Sequence, residues 1–332
     1  MPSPVPVTRI LRRDLGVKLG ACSSPLTRCV GGSRLRVPAS AFPGDTARRL
    51  WSSAVNWREL QGLEPIGSGG FGLVFKARYF GETVAVKRVK CAKNKLASRQ
   101  SFWAELNSAH LRHKNLVRVI AATTHSPTDE VMDDSIGTII MEFAGSLNLQ
   151  QVIYGDAEPL HVDQCVRYSA DIACALQHLH AHNVVHLDLK PANVLVSKDG
   201  VCKLADFGCS MKIDLSRDAA SRLHEIGGTY THRAPELLKG EEVTALVDIY
   251  SFGITLWQLL TREPPYAGDR QHVLYAVVAY NLRPDLARDV WTRSARGRWL
   301  KELVSRCWSA EPGLRPTASQ LVTELSTAVN SF

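Results

Sequence analysis

The densest chemistry in the chain lies in one octapeptide, His186-Leu187-Asp188-Leu189-Lys190-Pro191-Ala192-Asn193. Its carboxylate can orient and deprotonate a hydroxyl, its ammonium can neutralise a forming anion, and its amide oxygen can bind a hard cation. Asp188, Lys190 and Asn193 converge only if their loop is held rigid. Val166, Ser169, Ile172, Ala173, Leu176 and Leu179 precede it at the spacing of a helix with one buried face, and Val194-Leu195-Val196 follows as a short strand before a turn at Lys198-Asp199-Gly200. A loop between a helix and a hairpin is a place where catalytic groups are commonly mounted. Alone, the octapeptide also reads as an ordinary polar loop, so the other motifs decide.

Leu60, Leu63 and Ile66 introduce a strand that runs into Gly67-Ser68-Gly69-Gly70-Phe71-Gly72-Leu73-Val74. Glycines in a G-x-G-x-x-G arrangement let backbone amides approach phosphate oxygens. Dinucleotide-binding folds share that spacing, but there the loop opens a helix. Here Val74 to Tyr79 stays β-prone, turns at Gly81-Glu82 and returns as Thr83-Val84-Ala85-Val86-Lys87, so the glycines cap a hairpin. A helix is expected over 93–113, with Phe102, Leu106 and Ala109 on one stripe and Glu105 beside it. A polar loop from Thr124 to Ser135 leads to the strand Thr138-Ile139-Ile140-Met141 and the connector Glu142-Phe143-Ala144. Further on come Asp206-Phe207-Gly208, then Ala234-Pro235-Glu236, and an apolar run from Val243 to Leu260 interrupted by Asp248. The remainder, to about Ala328, reads as helices.

The totals bound the alternatives. A chain of 332 residues, 45% hydrophobic and 22% charged, has material for two domains or one bilobal unit. The net charge is +8, yet residues 1–50 hold nine Lys or Arg against Asp14 and Asp45, so +7 of it falls there and the rest is near neutral. Residues 1–53, rich in Pro, Ser, Gly and Arg, are expected to be a mostly disordered basic tail, with Ser3-Pro4 as a candidate phosphorylation site. No stable nucleic-acid complex is expected from it. The longest run without Lys, Arg, Asp or Glu is Ile172 to Leu187 and includes four histidines, which excludes a membrane span. The first thirty residues lack a secretory apolar core, and Pro2, Pro4 and Pro6 oppose an amphipathic transit helix, so a cytoplasmic, monomeric protein is expected. Eight cysteines without zinc spacing are expected to be reduced thiols.

Six motifs in this order resemble the protein kinase superfamily from Trp57 to about Ala328. The expected fold is therefore α+β and bilobal, with a β-rich N-lobe over about 57–144 and a helical C-lobe over about 145–328, in a domain covering 54–332. The stretches Arg99 to Asn107, Gly227 to Glu236 and Arg270 to Tyr280 are similar to the Mos family of germ-cell serine/threonine kinases. The resemblance implies ATP and Mg2+ as cofactors. Asp188 would accept the hydroxyl proton, Lys190 would stabilise the transferring phosphoryl group, Asn193 and Asp206 would hold the metal, and Lys87, fixed by Glu105, would anchor the nucleotide. Thr229 would steady Asp188 and Lys190. Ile66, Gly67, Ser68, Gly69, Gly70, Phe71, Gly72, Val74, Ala85, Met141, Glu142, Ala144 and Leu195 would surround the nucleotide, with Glu142 and Ala144 offering backbone hydrogen bonds. Asp248 would hold the catalytic-loop backbone, and Arg315 would pair with Glu236.

By the same resemblance the protein substrate is a MAP kinase kinase, and the role is that of a proto-oncogene MAP kinase kinase kinase in oocyte maturation and metaphase II arrest. Leu187 departs from the common protein kinase pattern, which places an arginine there to receive an activation-loop phosphate. Glu225 sits where many kinases carry that phosphorylated residue, with Lys212 as a partner, while Ser216 and Ser221 keep loop phosphorylation open. Cys209 reads as an inert thiol sooner than a reactive one. A pseudokinase scaffold and a small-molecule kinase are the competing readings; the first is opposed by the full set of catalytic residue types, the second by Ala-Pro-Glu and Gly228-Thr229.

Overall fold

The protein is described from a computed structural model over residues 55–69, 72–90, 94–124, 135–155, 158, 160–213 and 229–330. The basic tail with Ser3, the loop residues Gly70 and Phe71, most of the polar loop after Thr124, and Ser216, Ser221, Glu225, Gly227 and Gly228 lie outside the described residues.

Five antiparallel strands form the first half. They are β1 (Leu60–Gly69), β2 (Gly72–Tyr79), β3 (Glu82–Lys90), β4 (Val119–Thr123) and β5 (Ser135–Glu142), in the order β1-β2-β3-β5-β4. The G-x-G-x-x-G segment joins β1 to β2, with Gly69 opposite Gly72, as the hairpin reading requires. The two-residue period puts Ile139 and Ile140 on opposite faces of β5, and both are wholly buried. Ile139 packs with Phe102 and Val119, whereas Ile140 packs with Val84 and Val86. Helix α1 (Lys95–Asn107) covers the first of these faces and carries Glu105.

α1 is shorter than the expected 93–113. Asn94 caps it, accepting from the Ala97 amide, and at the other end the Ser108 amide bonds back to Ala104 O at 3.3 Å. Beyond Ser108 the chain leaves the helix so that Asn115, Leu116 and Val117 can meet the second half: Val117 donates to Leu204 O at 2.9 Å, and Leu204 to Asn115 O at 2.8 Å.

That second half is built on helices. After β6 (Leu147–Asn148) come α2 (Leu149–Tyr154) and α3 (Val162–Ala181), whose Val166, Ser169, Ile172, Ala173, Leu176 and Leu179 are all buried, as the helical spacing predicts. Two small sheets follow, built with β7 (Val184–Val185), β8 (Val194–Val196), β9 (Cys202–Leu204) and β10 (Met211–Lys212): β10 pairs with β7 in one, and β8 lies between β6 and β9 in the other. The remaining helices are α4 (Pro235–Lys239), α5 (Leu246–Thr261), α6 (Arg270–Ala279), α7 (Ala295–Cys307) and α8 (Ala318–Asn330).

α5 is buried along Val247 to Leu259, the central helix that the apolar run predicts. It begins at Leu246, because Val243 and Thr244 are spent on the approach: Val243 is buried but non-helical, and the Thr244 hydroxyl accepts from the Leu246 amide. Burying a polar carboxylate in such a helix is costly unless it is fully hydrogen-bonded. Asp248 meets that condition at the site described next. Among the described residues no helix is long and apolar enough to cross a membrane, and Cys165, Cys174, Cys202, Cys209 and Cys307 are free thiols.

Candidate active site

The octapeptide bridges β7 and β8, and α5 fixes its backbone. Asp248 is completely buried; its carboxylate accepts from the amides of His186 and Leu187, each at 2.9 Å, and meets His180 Nε2 at 3.0 Å. Burial alone would raise the Asp248 pKa, but the His180 bond and the amides outweigh it and hold it below the ordinary carboxylate range. The two amides hold Leu187 at φ +65°, a left-handed conformation that costs a branched side chain on the order of 1 kcal/mol or more. The Leu187 side chain is buried in the helical core.

His186 ties this loop to the next one. Its ring is buried: Nδ1 accepts from the Asp188 amide at 3.3 Å, which makes Nε2 the donor to Ala205 O at 3.0 Å, and the ring stands edge-on to Phe207. The Ala205 amide in turn donates to Asn193 O. Asp206 is therefore held beside the octapeptide, itself at φ +61°.

Asp188 is the hub. Thr229 N donates to its Oδ1 at 2.8 Å, while Lys190 Nζ and Asn193 Nδ2 donate to its Oδ2 at 2.8 and 3.0 Å. Lys190 Nζ also reaches Thr229 Oγ1 at 2.6 Å. Asn193 Nδ2 additionally bonds Asp188 O, so the amide's nitrogen is committed inward and its Oδ1 is the atom left for a cation.

Across from the hub, Lys87 on β3 donates to Glu105 Oε2 at 2.5 Å and to Asp206 Oδ1 at 2.8 Å. Burial opposes the lysine's charge, yet the two carboxylates prevail and raise its pKa above the ordinary value. Burial also raises the Glu105 pKa against the pull of Lys87. At Asp206 burial again pushes upward, but Lys87 outweighs it and the pKa ends below the usual range. The set Lys87, Asp206, Asn193 can thus present one cation and hard oxygen donors to a polyphosphate and its metal.

Between the sheet and the helices lies a cavity of about 610 Å³. It is lined by Ile66, Gly67, Ser68, Gly72, Val74, Ala85, Lys87, Met141, Glu142, Ala144 and Leu195, every one of them expected from the sequence, together with Asn193 and Asp206. Gly69 pairs with Gly72 across the hairpin. Gly72 is required by packing: at φ +149°, a Cβ would lie 1.9 Å from Arg88 O on β3.

Several features escaped the sequence. Glu142 does not offer its amide, which is donated to Arg118 O at 2.9 Å; its carboxylate accepts from the Arg118 amide and from Lys203 Nζ. The Glu142 N–H is thus committed within the protein, and the expected backbone hydrogen bond from Glu142 to a ligand rests on its carbonyl oxygen. Val117, Lys76, Ser146 and Gln151 also line the cavity without any local signal, since each arrives from a separate segment. His186 and His180 were legible as histidines but not as the orienting groups described above. Glu236 and Arg315 form the expected buried pair, at 2.5 and 2.8 Å. Cys209 has its thiol pKa pushed up to about 12, by burial first and then by Asp188 and Asp206, so it is no ready nucleophile.

A five-stranded lobe and a helical lobe enclosing a nucleotide-sized cavity, with a lysine–glutamate pair on one wall and an aspartate hub on the other, define a protein kinase, and a family model described as the protein kinase domain matches residues 60–325. Such a domain uses ATP to phosphorylate protein. The serine/threonine-protein kinase mos of Xenopus laevis is 50% identical over 98% of this chain and 92% of its own length. The Gallus gallus enzyme of the same name is 48% identical, and the proto-oncogene serine/threonine-protein kinase mos of Mus musculus 49%, each with 98% of both chains covered. The chain belongs to the Mos family of serine/threonine protein kinases.

Proposed function

We propose that the catalytic unit is residues 54–332, following a basic tail over 1–53, and that it transfers the γ-phosphoryl group of ATP to a serine or threonine of a MAP kinase kinase. The observation that carries this is the hub at Asp188, whose one carboxylate is bound by Lys190, Asn193 and the Thr229 amide. Asp188 orients the incoming hydroxyl and takes its proton, Lys190 neutralises charge on the phosphoryl oxygens, and Thr229 holds both from the substrate side. Lys87, kept charged by Glu105, positions the nucleotide phosphates, and the apolar walls from Val74, Ala85 and Leu195 clasp the base. Asn193 Oδ1 and Asp206 are the residues that fit Mg2+, a cation that typically takes one or two protein oxygens and completes its shell with phosphate and water. When bound, the ion supplies charge neutralisation across the phosphates.

The MAP kinase kinase substrate, the role in oocyte meiotic maturation, a cytoplasmic location and a monomeric state are part of this proposal, supported by kinship with the Mos family and by the sequence. A protein substrate of some kind is implied by the kinase domain itself. The test is a phosphotransfer assay with magnesium-ATP and purified MAP kinase kinases, with sites mapped by mass spectrometry. Lys87→Met and Asp188→Asn should each lower turnover by about a hundredfold or more, the typical worth of a positioned base or phosphate anchor. Full activity in Lys87→Met, or equal labelling of unrelated proteins, would overturn the proposal.

A further inference from the structure

The nucleotide cavity has a fixed floor and a lightly held roof. Its connector is tied at both ends: the Glu142 amide donates to Arg118 O at 2.9 Å, the Glu142 carboxylate meets Lys203 Nζ at 2.9 Å, and Gly145 lies so close to β8 that a Cβ would fall 2.1 Å from Val196 O. Phe143, between these anchors, is a firm platform. The β1-β2 hairpin lies at the edge of the five-stranded sheet, and its pairing is interrupted between Gln61 and Glu64 and between Pro65 and Gly67. Leu63 and Ile66 on β1 are exposed, so little apolar packing sets the height of that edge.

Lys76 joins the two. It follows Val74 by two residues on β2 and so shares its face, and its Nζ lies 5.4 Å from the centroid of the Phe143 ring, with all three residues lining the cavity. Glu64 stands opposite Lys76 in the hairpin register, yet among the described residues Lys76 forms no ion pair. Its ammonium is seated on the aromatic face instead. Lys76 and Phe143 are both half-buried, which strengthens the attraction between a cation and the ring's negative face.

Resting on the kinase reading above, we propose that Lys76 is a positioning residue for the nucleotide, acting through Phe143: their contact ties the glycine-bearing hairpin to the connector and sets the gap into which the base slides. Val74 rides on the same strand face, so a hairpin that lifts takes the roof off the ring. The contact serves bound nucleotide in the ground state and the transition state alike. Its loss therefore falls on KM and not on kcat.

The full-length protein and its Lys76→Met, Phe143→Leu, double and Lys76→Arg variants are titrated with magnesium and a fluorescent N-methylanthraniloyl ATP, with adenosine as competitor, and then assayed for turnover on a MAP kinase kinase. Lys76→Met and Phe143→Leu should each weaken nucleotide binding by about two- to fivefold, the usual worth of a half-buried cation on a ring. The double variant should be no weaker than the worse single one, because either change breaks the same contact. Lys76→Arg, which keeps a cation over the ring, should bind as the parent does. Adenosine should suffer as much as ATP, and the KM for the protein acceptor should stay where it was, which a general loosening of the fold would not allow. A Lys76→Met loss confined to ATP, with Phe143→Leu silent, would assign the ammonium to the phosphates and overturn the proposal. Effects that multiply in the double variant, or parent-like binding in Lys76→Met, would overturn it too. Nucleotide bound with the expected dependences but never transferred sinks the kinase reading alone.

Discussion

Leu187 carries the sharpest consequence at the scale of single residues. In the common protein kinase pattern an arginine at this point links the catalytic loop to a phosphate on the activation loop, so that the phosphate orders the site. Here the position is apolar, left-handed and buried, and the work of fixing the loop falls to Asp248 through two backbone amides. Asp248 is fixed in turn by His180. The catalytic loop is therefore braced from the helical core without any charge at 187. Phosphatase treatment of the purified protein should leave its activity within about twofold of the untreated sample, since no arginine at this point is lost to a missing phosphate partner. Loss of most of the activity, or a loop Ser such as Ser216 or Ser221 proving indispensable to turnover, would refute that account. Leu187 was legible in the sequence only as a missing charge; that it fills core volume required the fold.

At the scale of elements, the site depends on α1 and the Asp206 loop keeping register, because Lys87 bonds a carboxylate from each. A pair of hydroxyls joins the two. Ser108, at the end of α1, and Ser210, four residues beyond Asp206, lie 3.0 Å apart and are both buried, with Ser210 also donating to Phe207 O at 2.7 Å. Nearby, Gly208 presses so closely on α1 that a Cβ there would fall 2.3 Å from Ser101 Oγ. These contacts tie α1 to the loop independently of charge. Ser108→Ala and Ser210→Ala should each destabilise the fold by about 1 kcal/mol, and the double variant by less than their sum, as a shared hydrogen bond requires. The thermal midpoints of the four proteins decide it: strict additivity would mean that the two hydroxyls act separately. The elements themselves were largely readable from periodicity, α3 and α5 above all, but no local pattern announces a contact between residues 102 positions apart.

For the molecule as a whole, what was readable in the sequence is what spacing controls. The β1-β2 hairpin, the α3 stripe and the central α5 follow from residue order and period, whereas the buried Glu236–Arg315 pair was implied by the resemblance to protein kinases. What was not readable is how buried polar groups pair, and that sets the response to acid. His232 is the clearest case: it is almost wholly buried, with Nε2 2.6 Å from Gln258 Oε1 and Nδ1 3.0 Å from Thr231 Oγ1, and Gln258 passes the chain on to Tyr154. Burial is the main cause that drops its pKa to about 4, against the weaker upward pull of the Gln258 bond. The folded form therefore holds His232 neutral where the unfolded chain, near the ordinary 6.5, takes up a proton. The unfolded state binds more protons between these two values, so stability must fall as pH drops from about 6.5 towards 4. A shift of this size is worth up to about 3 kcal/mol at the bottom of the window. Asp248, whose folded pKa is depressed, adds a loss of the same sign at lower pH, as it is protonated below the ordinary carboxylate range. His232→Gln, which keeps one hydrogen-bonding group and cannot titrate, should be less stable than the parent at neutral pH yet show a flatter decline between pH 6.5 and 4 in chemical denaturation. Parallel declines for parent and variant across that window would show that His232 does not govern it.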